Sequence, residues 1–302
     1  MNKMIMNEEQ KNNLNIQEPI EGQIIVTEDG SKKILRRRKP LLEVENLYVQ
    51  FRQNTVLRDI NLQFRRGETV AIIGESGCGK TVLLKTLIGL IMPTFGRVLF
   101  EGKNIADLST REMTKLRTRY GFVFQMAALF DSMTIGDNVS FSIRQEKTRL
   151  KKAELRDRVA HLLHEVGLNP NIMDRMPSEL SGGMRKRVGF ARALAMEPEI
   201  MLYDEPTTGL DPIMSDVINE LIISARDLHR VTGIIVTHDM TSAKKVADRI
   251  IMVYPNSRLK PDEPQIIFDG TPDEIEHTSD KRVLQFIHGQ AGERLMEMAR
   301  SN

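Results

Sequence analysis

The stretch "AIIGESGCGKT" at residues 71–81 holds residues whose types and spacing suit one chemistry. Gly74, Gly77 and Gly79 carry no side chains, so the backbone N–H groups across Glu75, Ser76 and Cys78 can wrap an anion at a helix N-terminus. Lys80 adds a point charge for β- and γ-phosphates, and the Thr81 hydroxyl is a hard oxygen ligand for Mg²⁺. An apolar strand precedes this Gly-x-x-x-x-Gly-Lys-Thr pattern and the helix-forming "TVLLKTLIGL" follows it, which is the context a phosphate-binding loop needs. Cys78 serves through its backbone and has no redox role. An acid must then hold the magnesium. "IMLYDEP" supplies Asp204 at the end of an apolar strand, binding Mg²⁺ through water, and Glu205 beside it to accept a proton from an attacking water. General-base help of that kind is worth roughly 10²–10⁴ in rate. A second anion site follows from "SELSGGMRKR" at 178–187, where Ser181, Gly182 and Gly183 open a basic, helix-friendly run.

The elements that must position these groups are readable from texture. "LLEVENLYV", "TVAIIG", "RVLFEG", "YGFVFQ", "IMLYDE", "GIIVTH", "RIIMVY" and "QIIFDG" are short strand candidates, several of them continuous apolar runs as parallel strands require. Helices between them have legible starts. Ser109-x-x-Glu112 opens one with a capping box, Thr271-Pro272-x-Glu274 opens another with proline at the first helical position, and Asp211-Pro212 precedes the apolar positions Ile213, Val217, Leu221 and Ile222. Alternating strands and helices predict an α/β fold. From Ser132 to Met176 strand signals vanish, and Leu155, Val159, Leu162, Leu163 and Val166 form one helical stripe, predicting a helical insert. The final thirty residues read as helical with a break at Gly289. There Val283, Phe286 and Ile287 offer one apolar face, and Leu295 and Met298 a second.

Bulk properties narrow the class. The 302 residues carry a net charge of +2 with 28% charged residues, which does not suit a general nucleic-acid binder. One cysteine excludes an internal disulfide and fits a reducing compartment. The apolar run from Leu83 to Met92 is too short to span a bilayer, and "MNKMIMNEEQKNN" lacks a signal-peptide core, so a cytoplasmic chain is expected. Residues 1–40 read as a polar, partly disordered leader with at most one short strand, around Gln23 to Thr27. Its basic cluster Arg36–Lys39 reads as solvated charge or as a contact for anionic headgroups.

Together these motifs resemble the ATP-binding subunit of ABC transporters over about residues 41–275. The resemblance implies a P-loop NTPase with a RecA-like core, an antiparallel β subdomain and an inserted α-helical subdomain, here at about 126–182. It implies ATP and Mg²⁺ as cofactors. It also implies a head-to-tail dimer in which the Ser181-Gly182-Gly183 segment of one copy closes on the γ-phosphate held by the other, which accounts for two phosphate sites in one chain. Gln125 in "FVFQ" resembles the residue that touches Mg²⁺ and the lytic water and begins the lobe facing the membrane subunit. Asp211 in "TTGLDP" resembles the aspartate that crosses the dimer interface. His238 in "IIVTHD" is similar to the switch histidine at the γ-phosphate. Phe51 in "NLYVQFRQ" falls where the family stacks an aromatic on adenine, with Tyr48 as the alternative. The chain departs from the common Leu-Ser-Gly-Gly-Gln signature, since Met184 replaces the glutamine. Leu-Ser-Gly-Gly-Met, "FQMAALFDSMTIGDNV" and "RVLQFIHG" are similar to the subfamily that powers MCE-type lipid transporters. That subfamily implies phospholipid cargo moved between Gram-negative membranes and a place on the cytoplasmic face of the inner membrane. Its implied partners are permease subunits, an MCE substrate-binding protein and a STAS-domain subunit. An importer of another solute, a soluble ABC protein and a non-hydrolysing scaffold are the alternatives. Residues 276–302 either dock on their own domain or reach a neighbouring copy or the STAS subunit.

Overall fold

The structure, a computed structural model, describes residues 22–26, 32–36, 40–145 and 150–291. The chain divides between Lys39 and Pro40 into two compact units. In the first, β1 (Gly22–Val26) pairs antiparallel with β2 (Lys32–Arg36), Ile24 opposite Ile34. Two strands stand where at most one was expected. A single strand leaves its backbone groups unpaired, and the second run, Lys32–Arg36, supplies the partner. Arg37, Arg38 and Lys39 of the basic cluster lie outside the described residues.

The second unit begins with β3 (Leu42–Phe51), β4 (Asn54–Phe64) and β5 (Thr69–Ile73), the last followed by α1 (Lys80–Leu87). Next come β6 (Phe95–Phe100), β7 (Lys103–Asn104), α2 (Thr110–Arg117) and β8 (Tyr120–Val123). The helical stretch then runs through α3 (Ile135–Gln145), α4 (Lys152–Glu165) and into α5 (Gly182–Leu194). The chain continues with β9 (Ile200–Asp204), α6 (Pro212–His229), β10 (Thr232–Thr237), α7 (Met240–Val246) and β11 (Arg249–Val253). It closes with β12 (Ile266–Gly270), α8 (Pro272–Glu276) and α9 (Lys281–Ile287).

These strands form two sheets. One is six-stranded, β12-β11-β5-β10-β9-β8, parallel except where β12 runs against β11. The other is antiparallel, β4-β3-β6-β7. β4 was not expected from the sequence. The predicted capping box of Ser109 with Glu112 forms on α2, and α8 starts at Pro272 as predicted, with Thr271 and Glu274 making a second capping box.

Among the described residues, three apolar clusters hold the unit together. Leu83, Leu84 and Leu87 of α1 pack between the two sheets, each fully buried side chain contributing about 1.5–3 kcal/mol. Val159, Leu162, Leu163 and Val166 of the predicted stripe join Phe190 and Tyr203, fastening the helical insert to β9. Val283 is buried among Ile73, Ile250 and Ile275, with Phe286 and Ile287 packed alongside. The first apolar face of the C-terminal segment thus docks on its own unit, and Gly289 ends α9 at φ +63°. Leu295 and Met298 lie outside the described residues.

Candidate active site

Four neighbouring parallel strands, β5, β10, β9 and β8, end on one edge of the sheet. Ile73 sits opposite Thr237, Val236 opposite Asp204, and Val123 opposite Tyr203. The residues that follow share that edge: Gly74 after β5, His238 after β10, Glu205 after β9 and Gln125 after β8. Open α/β sheets take their ligands at this carboxyl edge.

The loop between β5 and α1 needs its glycines. Gly74 has φ +148°, and a Cβ there would lie 2.2 Å from the Val253 carbonyl. Gly79 has φ +102°, and a Cβ would meet Leu57 Cδ2 at 2.8 Å. Lys80 is buried, and its ammonium donates to the carbonyls of Gly74 (2.8 Å) and Glu75 (3.0 Å), holding it against the loop. Glu75 spends its carboxylate on Arg258, whose Nη1 is 3.0 Å from both oxygens. Ser76 and Gly77 are exposed at the loop's crest. Cys78 is buried and burial pushes its thiol up, which suits a backbone role rather than a nucleophile.

Beside the loop, Thr81 Oγ1 donates to Asp204 Oδ1 at 2.9 Å. Asp204 is buried, and desolvation pushes its carboxyl above the usual range while the Thr81 hydrogen bond opposes that shift. Glu205 has φ +49°, a left-handed conformation that is strained for this side chain, with its N–H bound to the Val236 carbonyl at 2.9 Å. Its Oε2 accepts from Thr208 Oγ1 at 3.1 Å and lies 2.8 Å from His238 Nδ1. Glu205 and His238, 33 positions apart in sequence, are therefore in contact. The Thr81–Asp204 oxygen pair fits Mg²⁺. Among the described residues no cluster of three or more His, Cys, Asp or Glu side chains could hold a metal alone. Phosphate, water and the Gln125 side-chain oxygen would complete the all-oxygen set that Mg²⁺ prefers.

Ser181, Gly182 and Gly183 are not gathered with these groups. Ser181 caps α5 by accepting from Met184 N–H at 3.3 Å, and Gly183 abuts Met214 and Leu210. A Cβ on Gly182 would meet nothing within 4 Å, so nothing within the described chain requires a glycine there. Asp211 caps α6, accepting from Met214 N–H at 2.9 Å. Gln125 is exposed. Phe51 is 47% exposed at the β3–β4 turn, while the Tyr48 ring is engaged edge-on by Phe95 at 6.4 Å. β4 abuts Gly79 through Val56 and Leu57, which sets this turn near the loop.

Sequence reasoning did not single out Gln265, buried, whose amide donates to the Val56 (2.9 Å) and Cys78 (3.3 Å) carbonyls and ties the loop to β4. It also passed over Arg258. Both act on partners more than 180 positions away, and no local pattern announces that.

A family profile described as ABC transporter matches residues 57–208, which span the phosphate loop, Gln125, the Ser-Gly-Gly segment and Glu205. The chain belongs to the ABC transporter family. It is the ATP-binding subunit of an ABC transporter and hydrolyses ATP. The cassette is 39% identical to the intermembrane phospholipid transport system ATP-binding protein MlaF of Haemophilus influenzae, over 83% of this chain and 91% of that one. It is equally 39% identical to the probable ribonucleotide transport ATP-binding protein mkl of Mycobacterium leprae, over 82% of this chain but 69% of the relative. Among solved structures, the dimeric ATP-binding cassette MJ0796 in a post-hydrolysis state with ADP and Pi superposes with a TM-score of 0.67 at 31% identity, covering 76% of this chain and 98% of that one. The cassette has the expected α/β P-loop NTPase fold. No helix among the described residues is long and apolar enough to cross a membrane.

Proposed function

We propose that this cassette powers a transporter that moves phospholipids between the inner and outer membranes of a Gram-negative envelope, from the cytoplasmic face of the inner membrane. The observation that carries this reading is similarity to the phospholipid-system relative over 91% of that protein's length, against 69% for the ribonucleotide relative. Met184 in the signature points the same way. The partners are then two permease subunits, an MCE substrate-binding protein, a STAS-domain subunit and a second copy of the cassette.

In this reading the adenine stacks on Phe51, and the loop from Gly74 to Gly79 receives the phosphates. Lys80 exchanges its two carbonyl partners for β- and γ-phosphate oxygens. When bound, Mg²⁺ would supply charge neutralisation, held by Thr81, by Gln125 and, through water, by Asp204. Glu205 accepts the proton of the attacking water, and His238 holds the carboxylate and faces the γ-phosphate. This is phosphoryl transfer by positioning and charge, with no covalent intermediate on the protein. Gly182 supports the two-copy arrangement: a bare helix start with open space around it suits close approach of a neighbour's phosphate. Asp211 then sits at the same interface.

The test is gentle extraction of the tagged chain in its native complex from the host membrane, with mass spectrometry of proteins and lipids. A permease, an MCE protein, a STAS protein and enriched phospholipid are expected. A solute-type permease without an MCE protein would leave the ATPase and overturn the cargo. Absence of any membrane partner would overturn the transport reading.

A further inference from the structure

Lys186 carries a charge where the helix is apolar. It lies one turn into α5, on the buried face with Gly189, Phe190 and Ala193, and is 8% exposed. A buried ammonium is costly unless its donors are used. Here Nζ donates to the Pro206 carbonyl at 2.8 Å and the Thr208 carbonyl at 2.6 Å. These flank buried Thr207 in the segment that directly follows Glu205. The Thr208 hydroxyl in turn donates to Glu205 Oε2 at 3.1 Å. Burial pushes the Lys186 ammonium below the usual lysine value, and the Glu205 carboxylate opposes that.

We infer that Lys186 is a positioning residue for Glu205, bracing the Pro206–Thr208 segment so that Thr208 holds the carboxylate toward His238. The helix that carries Lys186 begins with Ser181, Gly182 and Gly183. Seating that helix start against a neighbour's nucleotide therefore bears on the chain's own Glu205. The inference rests on Glu205 being the proton acceptor.

The experiment measures kcat, KM for ATP and thermal unfolding on the full chain. Lys186→Met keeps the stem and removes the donors. A misplaced reacting group costs on the order of 10²-fold, so kcat is expected to fall roughly 10- to 100-fold with KM unchanged. Lys186→Arg, which keeps charge and donors, should recover most of the rate. In a Glu205→Gln background, adding Lys186→Met should cause no further fall. An unchanged kcat, a KM that rises as kcat falls, or a full additional loss on top of Glu205→Gln would each overturn the proposal. Should Lys186→Met not fold, Thr208→Val decides: half-buried and nearly isosteric, it should lower kcat with KM unchanged, and a wild-type rate refutes the restraint. Near-normal hydrolysis by Glu205→Gln alone is a separate failure, since it removes the proton acceptor itself.

Discussion

Two glycines separate residues kept for the fold from residues kept for a ligand. At Gly74 a methyl group would strike the Val253 carbonyl in a backbone conformation that side chains avoid. Gly74→Ala should cost about 1–3 kcal/mol from overpacking and lose ATP binding, read by urea unfolding and nucleotide titration. At Gly182 the added methyl meets open space in a helix. Alanine outranks glycine there by up to about 1 kcal/mol, so Gly182→Ala should unfold at the same or a higher temperature, yet hydrolyse ATP at least several-fold more slowly. A lower melting temperature would show that this glycine serves the fold. Asp204 gives a third case at this scale. Burial raises its pKa in the folded chain, so the folded state keeps the proton to higher pH than the unfolded state does. Its effect on the nucleotide-free chain is most favourable below the ordinary value of about 3.9, and stability is lost as pH rises through the raised one. Asp204→Asn should therefore melt at or above wild type at pH 7 without ligand, with the difference shrinking toward acid pH, and should lose the stabilisation that MgATP gives wild type. A destabilised nucleotide-free variant at pH 7 would refute that sign.

Elements add what single residues cannot. The segment from β8 to α3, which begins at Gln125, is tied by Asn138 on α3. Asn138 is fully buried; the two N–H groups of its amide are shared among the carbonyls of Phe130 (3.1 Å), Met133 (3.1 Å) and Thr134 (3.0 Å), and its Oδ1 accepts from Phe130 N–H at 2.8 Å. Asn138→Ala strands several polar groups, each costing about 1–3 kcal/mol, so a loss of roughly 2–4 kcal/mol in urea unfolding is expected. A loss below about 1 kcal/mol would mean that water replaces the amide. This staple was hidden in the sequence, because its partners sit in an irregular loop. The helix starts were legible because a cap is a four-residue pattern, and Ser109 and Thr271 behave as read. β4 was missed for a physical reason. Ile60, Leu62 and Phe64 are buried on even positions, but Leu57 is buried on an odd one, and Asp59 at φ +49° accounts for the slip. The phosphate loop, Asp204 and Glu205 follow apolar strands that the sequence shows, whereas His238 stands out only through the family resemblance; the structure sets all of them along one sheet edge. Lys186 had one faint signal, a lysine four positions before Phe190 on an apolar stripe.

At the scale of the whole molecule, the Ser181-Gly182-Gly183 segment packs against the start of α6. Gly183 abuts Leu210 and Met214, and Ile213 between them in sequence is 77% exposed, an apolar side chain without a core to enter. A symmetric pair would use such a surface twice, joining each loop to the other copy's Ser181-Gly182-Gly183. That arrangement makes complementation the decisive measurement. Lys80→Ala disables the loop of one copy, and Ser181→Arg blocks the signature of another; each variant alone should be inactive in single-turnover hydrolysis. In a mixed dimer one site pairs both lesions, while the other pairs an intact loop with an intact signature. Random mixing yields about half mixed dimers with one working site of two, so activity should return to about a quarter of wild type. Were loop and signature to serve the same chain, every copy in the mixture would carry a lesion in its only site and no activity would return. Recovery therefore distinguishes a site shared between copies from a site built within one, independently of which cargo the transporter moves.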